Sequence, residues 1–564
     1  MRVLEASGTL MHRSSHASTL ERYAIAVVGA AAVRQMMLYT GKVYDGYGEA
    51  IGAGLELDDG GRLVRVVTSD YVSSPDRETM RRDDDPAAGS PTAHPSTDGG
   101  RSAFRNHTDY AQRGRPKDTQ FAATRAGATA DSAAEHGGTC GAFIIPGLVD
   151  IHCHGGGGVS FSDLPTGSPA PRTGEFKRPT HSPGQLACTH GQATGNSPQP
   201  ACTHAQSAGN PPEPTCTGDP PGDGPDRTAD GAIETAILTH RRRGTTALLA
   251  SLVSLAEPEP YIDALIPLCE TGELAGIHLE GPFISPRRAG AQNPHAIQPI
   301  DLAKLRDWLT RGRGWIRTVT LAPELPGADD AALLALSHGA HPSWGHTNAD
   351  AATARKLLDA ICKPTSSQAA RQHTAAPQMI THLFNGMTPF SHREPGPVRE
   401  FICAARSGRA TAEIIADGVH VAPEVVEDVL AFVASRRSRR RQPLGVCFVT
   451  DASAAAGSPP GRFLLGRVAV ELRAGGCYVA GTDTLAGGAT TLADQLRLFA
   501  LRGRLPFGSI VNACVATPAL AAGIASTPGV TLTFERGHAP SFLVLDSTFR
   551  VVAVVREGHR LTDH

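Results

Sequence analysis

The chain has 564 residues, of which 19% are charged and 40% hydrophobic, with a formal net charge of −2. That length supports a large core, and the near-neutral balance argues against nucleic acid or an anionic membrane surface as partner. Eleven cysteines, scattered without a framework spacing, fit reduced thiols in a cytoplasmic protein better than a disulfide scaffold.

Residues 1–36 form an N-terminal extension with no clear element, expected to be disordered. Its longest apolar run, Ala24 to Val33, is too short to span a bilayer. It also sits too far behind polar sequence to act as a signal peptide. Met36 and Met37 open a strand-like stretch, and the natural start is expected at one of them. Residues 37–71 read as strands. Residues 72–138 are polar and rich in Asp, Arg, Thr, Ser and Gly, so they bury too little apolar surface to offset ordering entropy and are expected to be disordered.

Ala142 to Ile151 (AFIIPGLVDI) is short, apolar and β-branched, the pattern of a buried strand. It runs into His152-Cys153-His154 and four glycines. Side chains alternate along a strand, so His152 and His154 share a face and Cys153 takes the other. Two imidazoles on one face suggest two ligands of one metal; two unrelated histidines at a strand–loop junction fit the spacing as well. Residues 165–228 are low-complexity and carry a duplication, ACTHGQATGNSPQP followed by ACTHAQSAGNPPEP. Cys188, His190, Cys202 and His204 have the types of a soft metal site, but a duplicated loop tract is the plainer account.

Beyond it, apolar runs alternate with helix-prone ones: TALLASLVS, LAGIHLEGPFI, WIRTVTLAPE, QMITHLFN, ATAEIIADGVHV and LGVCFVTDAS. Residues 363–377 look like a loop extension. Alternating β and α in one domain of this size argues for a closed (β/α)8 barrel, expected over residues 139–526 apart from the two tracts. Active sites of such barrels lie at the C-terminal strand ends. The residues closing the apolar runs are His152 and His154, Glu280, His346, His382, His420 and Asp451. Each alone has a structural explanation, such as an arginine partner for Glu280 or a helix cap for Asp451. Together at one mouth they call for a cation.

The ordered motifs PGLVDIHCHGGGG, GIHLEGPFISPRRAGAQNP, WGHTNAD, THLFNGMTPFSHREPG, ADGVHV, FVTDAS and LAGGATTLADQLR resemble the N-acetylglucosamine-6-phosphate deacetylases of the amidohydrolase superfamily. The resemblance runs from about Met37 to the C-terminus and skips the inserts. It implies an α/β fold, a (β/α)8 TIM-type barrel, with a small β-sandwich domain built from both chain ends, residues 37–71 and 527–564. It implies Glu280, His346 and His382 as ligands of one divalent metal. His152 and His154 match a pair that holds a second metal in some members. Zinc, iron, manganese and cobalt all suit such donors. Asp451 matches the catalytic carboxylate.

Ala291, Gln292, Asn385, Gly386, Asp417, His420, Leu485, Ala486 and Gly487 match substrate contacts. Arg393 matches a phosphate-binding arginine that reaches into the neighbouring subunit's site, which implies a homodimer. Gln292 stands where many members have histidine; it can donate a hydrogen bond but cannot carry charge. The implied reaction is hydrolysis of N-acetylglucosamine 6-phosphate to glucosamine 6-phosphate and acetate. Alternatives are deacetylation of another phosphorylated amino sugar such as N-acetylgalactosamine 6-phosphate, a ring-opening amidase, or a catalytically silent barrel used as a scaffold.

Overall fold

The strand-forming runs sort into a barrel and a separate sheet. The computed structural model describes residues 36–68, 140–162, 229–253, 255–361, 378–436, 441–466, 468–473 and 475–561. The expected disordered extension ahead of Met36, the tracts 72–138 and 165–228 with Cys188, His190, Cys202 and His204, and the loop 363–377 lie outside the described residues.

In chain order, β1 (Met37–Tyr44), β2 (Ala50–Leu57), β3 (Leu63–Val67) and β4 (Cys140–Pro146) precede β5 (Leu148–Cys153) and the two-residue β6 (Gly155–Gly156) and β7 (Val159–Ser160). Then come β8 (Thr245–Val253), β9 (Gly276–Glu280), β10 (Ile316–Leu321), β11 (His341–Trp344), β12 (Gln378–Ile380), β13 (Ala410–Ile415) and β14 (Val446–Val449). β15 (Arg462–Leu465), β16 (Val468–Arg473) and β17 (Gly476–Val479) form a small antiparallel sheet. β18 (Phe542–Leu545), β19 (Val551–Arg556) and β20 (His559–Arg560) end the chain's strands.

Strands β5 and β8 to β14 lie side by side, all parallel. Helices Ala229–Arg241, Glu259–Glu270, Leu302–Arg311, Ala328–Ser337, Ala351–Ile361, Gly396–Ser407, Pro423–Ala434 and Leu492–Arg502 follow them in turn. β8, β9 and β14 are buried along their whole length, as parallel strands covered on both faces must be. The first and last strands meet at the C-terminal rim. There the backbone N–H of Asp451 donates to the His152 carbonyl and that of His154 to the Ala452 carbonyl, both at 2.8 Å. One turn below, Thr450 Oγ1 donates to Asp150 Oδ2 at 2.5 Å. The barrel is closed.

Strands from both chain ends form one seven-stranded sheet, in the order β20-β19-β18-β4-β1-β2-β3. It has its own core of Tyr39, Leu55, Leu57, Ile144, Phe542, Val544 and Val555. Here the structure corrects the expected strand Ala142–Ile151. That run is two strands, one in each sheet, divided at Gly147. The Gly147 N–H donates to Ser541 on the small-sheet side, and the Leu148 N–H donates to Gly244 in the barrel. A Cβ at 147 would lie 1.9 Å from Thr246 Oγ1, so only glycine lets the chain cross there.

A second correction concerns ADGVHV. β13 stops at Ile415, and Asp417 to His420 form a turn beyond it, so His420 stands past the strand end and the inward-facing acid of that strand is Glu413. Among the described residues no helix is long and apolar enough to cross a membrane.

Gly147→Ala is expected to destabilise the protein by about 2 kcal/mol, the usual cost of overpacking. Thermal unfolding checks this; a melting temperature equal to the parent's would remove Gly147 from its role as the crossing point.

Candidate metal centre

Parity along β5 puts His152 and His154 on one face, and Cys153 on the other, where its thiol lies 3.3 Å from His240 Nε2. β9 brings Glu280 to the same mouth, and the residues just past β11, β12 and β14 bring His346, His382 and Asp451. Six side chains converge, all buried. Glu280 joins them. Its Oε1 lies 2.8 Å from His346 Nε2 and 3.0 Å from His382 Nε2. Its Oε2 lies 2.9 Å from His154 Nε2 and 3.4 Å from His152 Nε2. Asp451 Oδ1 stands 3.0 Å from His154 Nε2 and 3.3 Å from His152 Nε2.

The far side of each ring decides what these contacts mean. His154 Nδ1 faces the Ser251 carbonyl at 3.0 Å and His346 Nδ1 the Arg288 carbonyl at 2.8 Å. His152 Nδ1 faces the Glu413 carboxylate at 2.9 Å. Acceptors there require Nδ1–H, which leaves each Nε2 a lone pair aimed inward. Those lone pairs meet one another, with His152 and His154 Nε2 3.2 Å apart and His346 and His382 Nε2 3.1 Å apart. They also meet carboxylate oxygens. Acceptor against acceptor in a buried space needs a cation between them. The carboxylates favour positive charge there: burial works against charge on His152 and His154, but Glu280 and Asp451 outweigh it, holding His152 well above its ordinary pKa and raising His154 to about 9. Burial likewise opposes charge on the acids, yet the histidines hold Glu280 well below the carboxylate range and Asp451 near 2. The donor set of imidazole Nε2 and carboxylate oxygen fits one or two divalent metals, in a pocket of His152, His154, Glu280 and Asp451 and a second of Glu280, His346 and His382.

The backbone is strained where three of these side chains sit. His346, His382 and Asp451 have φ of 45°, 28° and 47°, a left-handed conformation costing roughly 1–3 kcal/mol each. Gly386 packs behind His346, where a Cβ would come within 2.9 Å of Nδ1.

The other expected residues fall in three groups. Leu485, Ala486 and Gly487 run beside the Asp451 backbone, whose carbonyl accepts the Gly488 N–H. Gln292 is buried and its Nε2 has no partner among the described residues, while Ala291 packs beside the β15–β17 sheet. Asp417 accepts His420 Nδ1–H at 2.8 Å and two backbone N–H groups. Asn385 is half-buried and its amide turns to the His382 carbonyl. Arg393 stands apart, exposed on a loop after β12, its guanidinium unpartnered among the described residues.

Sequence reasoning missed Glu413 and His278. His278 lies on the barrel floor, held by Ser251 Oγ at 2.9 Å and Thr320 Oγ1 at 2.8 Å. Burial and the charge on His152 keep it neutral. A charged residue inside an otherwise apolar strand, Glu413 in ATAEII, was the available signal.

Gly386→Ala is expected to push the His346 ring off the Arg288 carbonyl and lower the metal content of the Glu280–His346–His382 pocket. Elemental analysis checks it; full metal content would show that the ring tolerates the methyl group.

Residues 143–561 match the model of the Amidohydrolase family. The N-acetylglucosamine-6-phosphate deacetylase of Danio rerio is 35% identical over 330 residues, covering 57% of this chain and 74% of that protein. The Bacillus subtilis enzyme of the same name is 31% identical over 345 residues, covering 59% and 79%. The solved structure of a mutant N-acetyl-D-glucosamine-6-phosphate deacetylase from Mycobacterium smegmatis, in complex with N-acetyl-D-glucosamine-6-phosphate, is similar with a TM-score of 0.61 at 25% identity, covering 94% of this chain and 100% of that one. With the family model spanning most of the chain and relatives above 30% identity covered over about three quarters of their length, the chain belongs to the amidohydrolase family and, within it, to the N-acetylglucosamine-6-phosphate deacetylases.

Proposed function

We propose that this chain hydrolyses N-acetylglucosamine 6-phosphate to glucosamine 6-phosphate and acetate with a divalent metal. The observation that carries the reading is Glu280 standing among four imidazole Nε2 atoms with the Asp451 carboxylate against them, at the barrel mouth of a chain of this family. An amide is a poor electrophile with a poor leaving group. A divalent ion in these pockets supplies an acidified water and a polarised acetyl carbonyl. Everything else falls to the chain. Asp451, ionised at neutral pH, accepts a proton from the attacking water and returns it to the departing nitrogen. Its left-handed backbone, clamped by the His152 carbonyl and the Gly488 N–H, holds that oxygen in place. The unpartnered Gln292 Nε2 is a donor for the substrate's acyl or hydroxyl oxygen. His420, with Nδ1–H given to Asp417, keeps Nε2 for the sugar phosphate.

Arg393 has the planar fork suited to phosphate. Its exposure, away from any partner in its own described chain, supports the reading that it serves a second copy in a homodimer. The described cysteines are all free thiols, which supports a cytoplasmic setting.

The test is acetate release from N-acetylglucosamine 6-phosphate, with N-acetylgalactosamine 6-phosphate and unphosphorylated N-acetylglucosamine in parallel. Activity on the first that is lost with chelator and regained with metal is the expected result. No release from any of the three, with metal bound, would move the substrate elsewhere; no release and no metal would favour a scaffold. Asp451→Asn is expected to lower kcat by about 10²- to 10⁴-fold with metal retained. Loss of metal instead would make Asp451 chiefly a ligand.

Arg393→Ala is expected to raise KM for the phosphorylated sugar about 10- to 100-fold, the worth of a charge-assisted hydrogen bond. The unphosphorylated sugar should be turned over as before. Equal effects on both would take Arg393 out of phosphate binding.

A further inference from the structure

Glu413 is a fully buried carboxylate that the proposed chemistry does not use. It stands on β13 with its side chain 1% exposed. Among the described residues no lysine or arginine pairs with it. Its Oε2 accepts Nδ1–H of His152 at 2.9 Å and the backbone N–H of His382 at 3.2 Å. Its Oε1 has no partner among the described residues.

The four histidines of the centre are not backed alike. His154 and His346 lean on neutral carbonyls, of Ser251 and Arg288. His382 Nδ1 has no partner among the described residues. Only His152 leans on an anion. A carboxylate behind an imidazole fixes its tautomer and makes the opposite nitrogen a stronger donor. The same oxygen also holds the backbone of His382, a residue kept at a left-handed φ of 28°. One carboxylate therefore touches a ligand in each pocket.

Charge adds a second, independent argument. Glu280, Glu413 and Asp451 are three buried carboxylates, and among the described residues the cationic partners they have are histidines alone. One dication leaves one of those negative charges unbalanced in a dry space, which is costly. A second dication beside His152 covers that charge, and the one positive charge then left over is the charge of a single anionic ligand such as hydroxide.

We propose that Glu413 is the positioning residue that makes the His152–His154–Asp451 pocket a working second metal site, acting through His152 Nδ1. The inference rests on the metal-dependent reading above. It adds that occupancy of the His152–His154–Asp451 pocket depends on a residue outside the donor sets of both pockets.

The experiment is calorimetric titration of the chelator-stripped full chain with zinc ion, without sugar. The parent is expected to take up two equivalents. Glu413→Gln keeps the shape and an acceptor oxygen but loses the charge. It is expected to weaken one equivalent about 10- to 100-fold and to leave the other, and the melting temperature of the metal-free chain, unchanged. Glu413→Asp, which keeps the charge on a shorter arm, is expected to fall between Gln and the parent. The equivalent lost should be the one lost in His154→Asn, so the double variant should lose nothing more. Parent-like binding of both equivalents by Glu413→Gln overturns the proposal. So does a parent that binds a single equivalent, or a lowered metal-free melting temperature with unchanged affinities, which marks a purely structural role. Because no sugar is present, an error in the substrate assignment leaves this result untouched.

Discussion

The rest of the centre is arranged around one carboxylate with both oxygens committed. Glu280 faces His346 and His382 with Oε1 and His152 and His154 with Oε2. Each of three rings is turned by an acceptor behind its Nδ1 so that its lone pair points at that carboxylate. Such an arrangement is stable only with positive charge inside it, as protons or as metal. The strands bring these groups to one mouth; the hydrogen bonds behind the rings decide what they do there. The same residues also close the barrel, since the Asp451 N–H to His152 carbonyl bond and the His154 N–H to Ala452 carbonyl bond are the seam between the first and last strands. Barrel closure and the placement of the candidate ligands therefore rest on the same residues, and the polar floor of Ser251, His278, Thr320, Thr381 and Ser343 ties the remaining strands beneath them.

Part of the backbone strain lies at the same place. Three of the non-glycine residues with positive φ are His346, His382 and Asp451. Each turns the chain immediately beyond a strand, so that the side chain faces the barrel axis instead of continuing the strand's alternation. Surrounding hydrogen bonds maintain these conformations: Thr347 N–H to the Gly386 carbonyl, Leu383 N–H to the Glu413 carbonyl, and Gly488 N–H to the Asp451 carbonyl. Such positions persist where the environment over-determines them, and their cost is a reason to look for function.

Much of this was legible in the sequence because the chemistry sits at a simple parity. His152 and His154 two apart on a strand, and acids or histidines ending successive apolar runs, suffice to place six side chains at one rim. What was hidden has physical reasons. Gly147 interrupts an apolar run without changing its composition, and the crossing between sheets depends on Thr246, about a hundred residues away. β11 is only His341–Trp344, too short for its own period to register. Glu413 lies in a strand buried on both faces, where apolar neighbours on each side erase the alternation that would say which way it points. His420 was read as a strand end because ADGVHV continues the apolar pattern, whereas the backbone turns at Asp417 to give its side chain two N–H donors.

The two halves of the centre are built to different standards, and that difference has a consequence for specificity. The candidate ligand side is carried by strand ends, with an acceptor behind three of its four rings. The side expected to meet the sugar is carried by loops: Gln292 with an unpartnered amide, Asn385 turned back on its own chain, the Asp417–His420 pair with one nitrogen left over, and Arg393 in solvent. Loops on a rigid barrel are where binding residues change without disturbing the fold. A neutral amide at position 292 gives a donor that remains the same across the pH range in which a histidine would titrate. On this arrangement the candidate metal ligands are set by strand ends, whereas the Gln292 amide and the Arg393 guanidinium, polar groups without a partner among the described residues, are carried by loops.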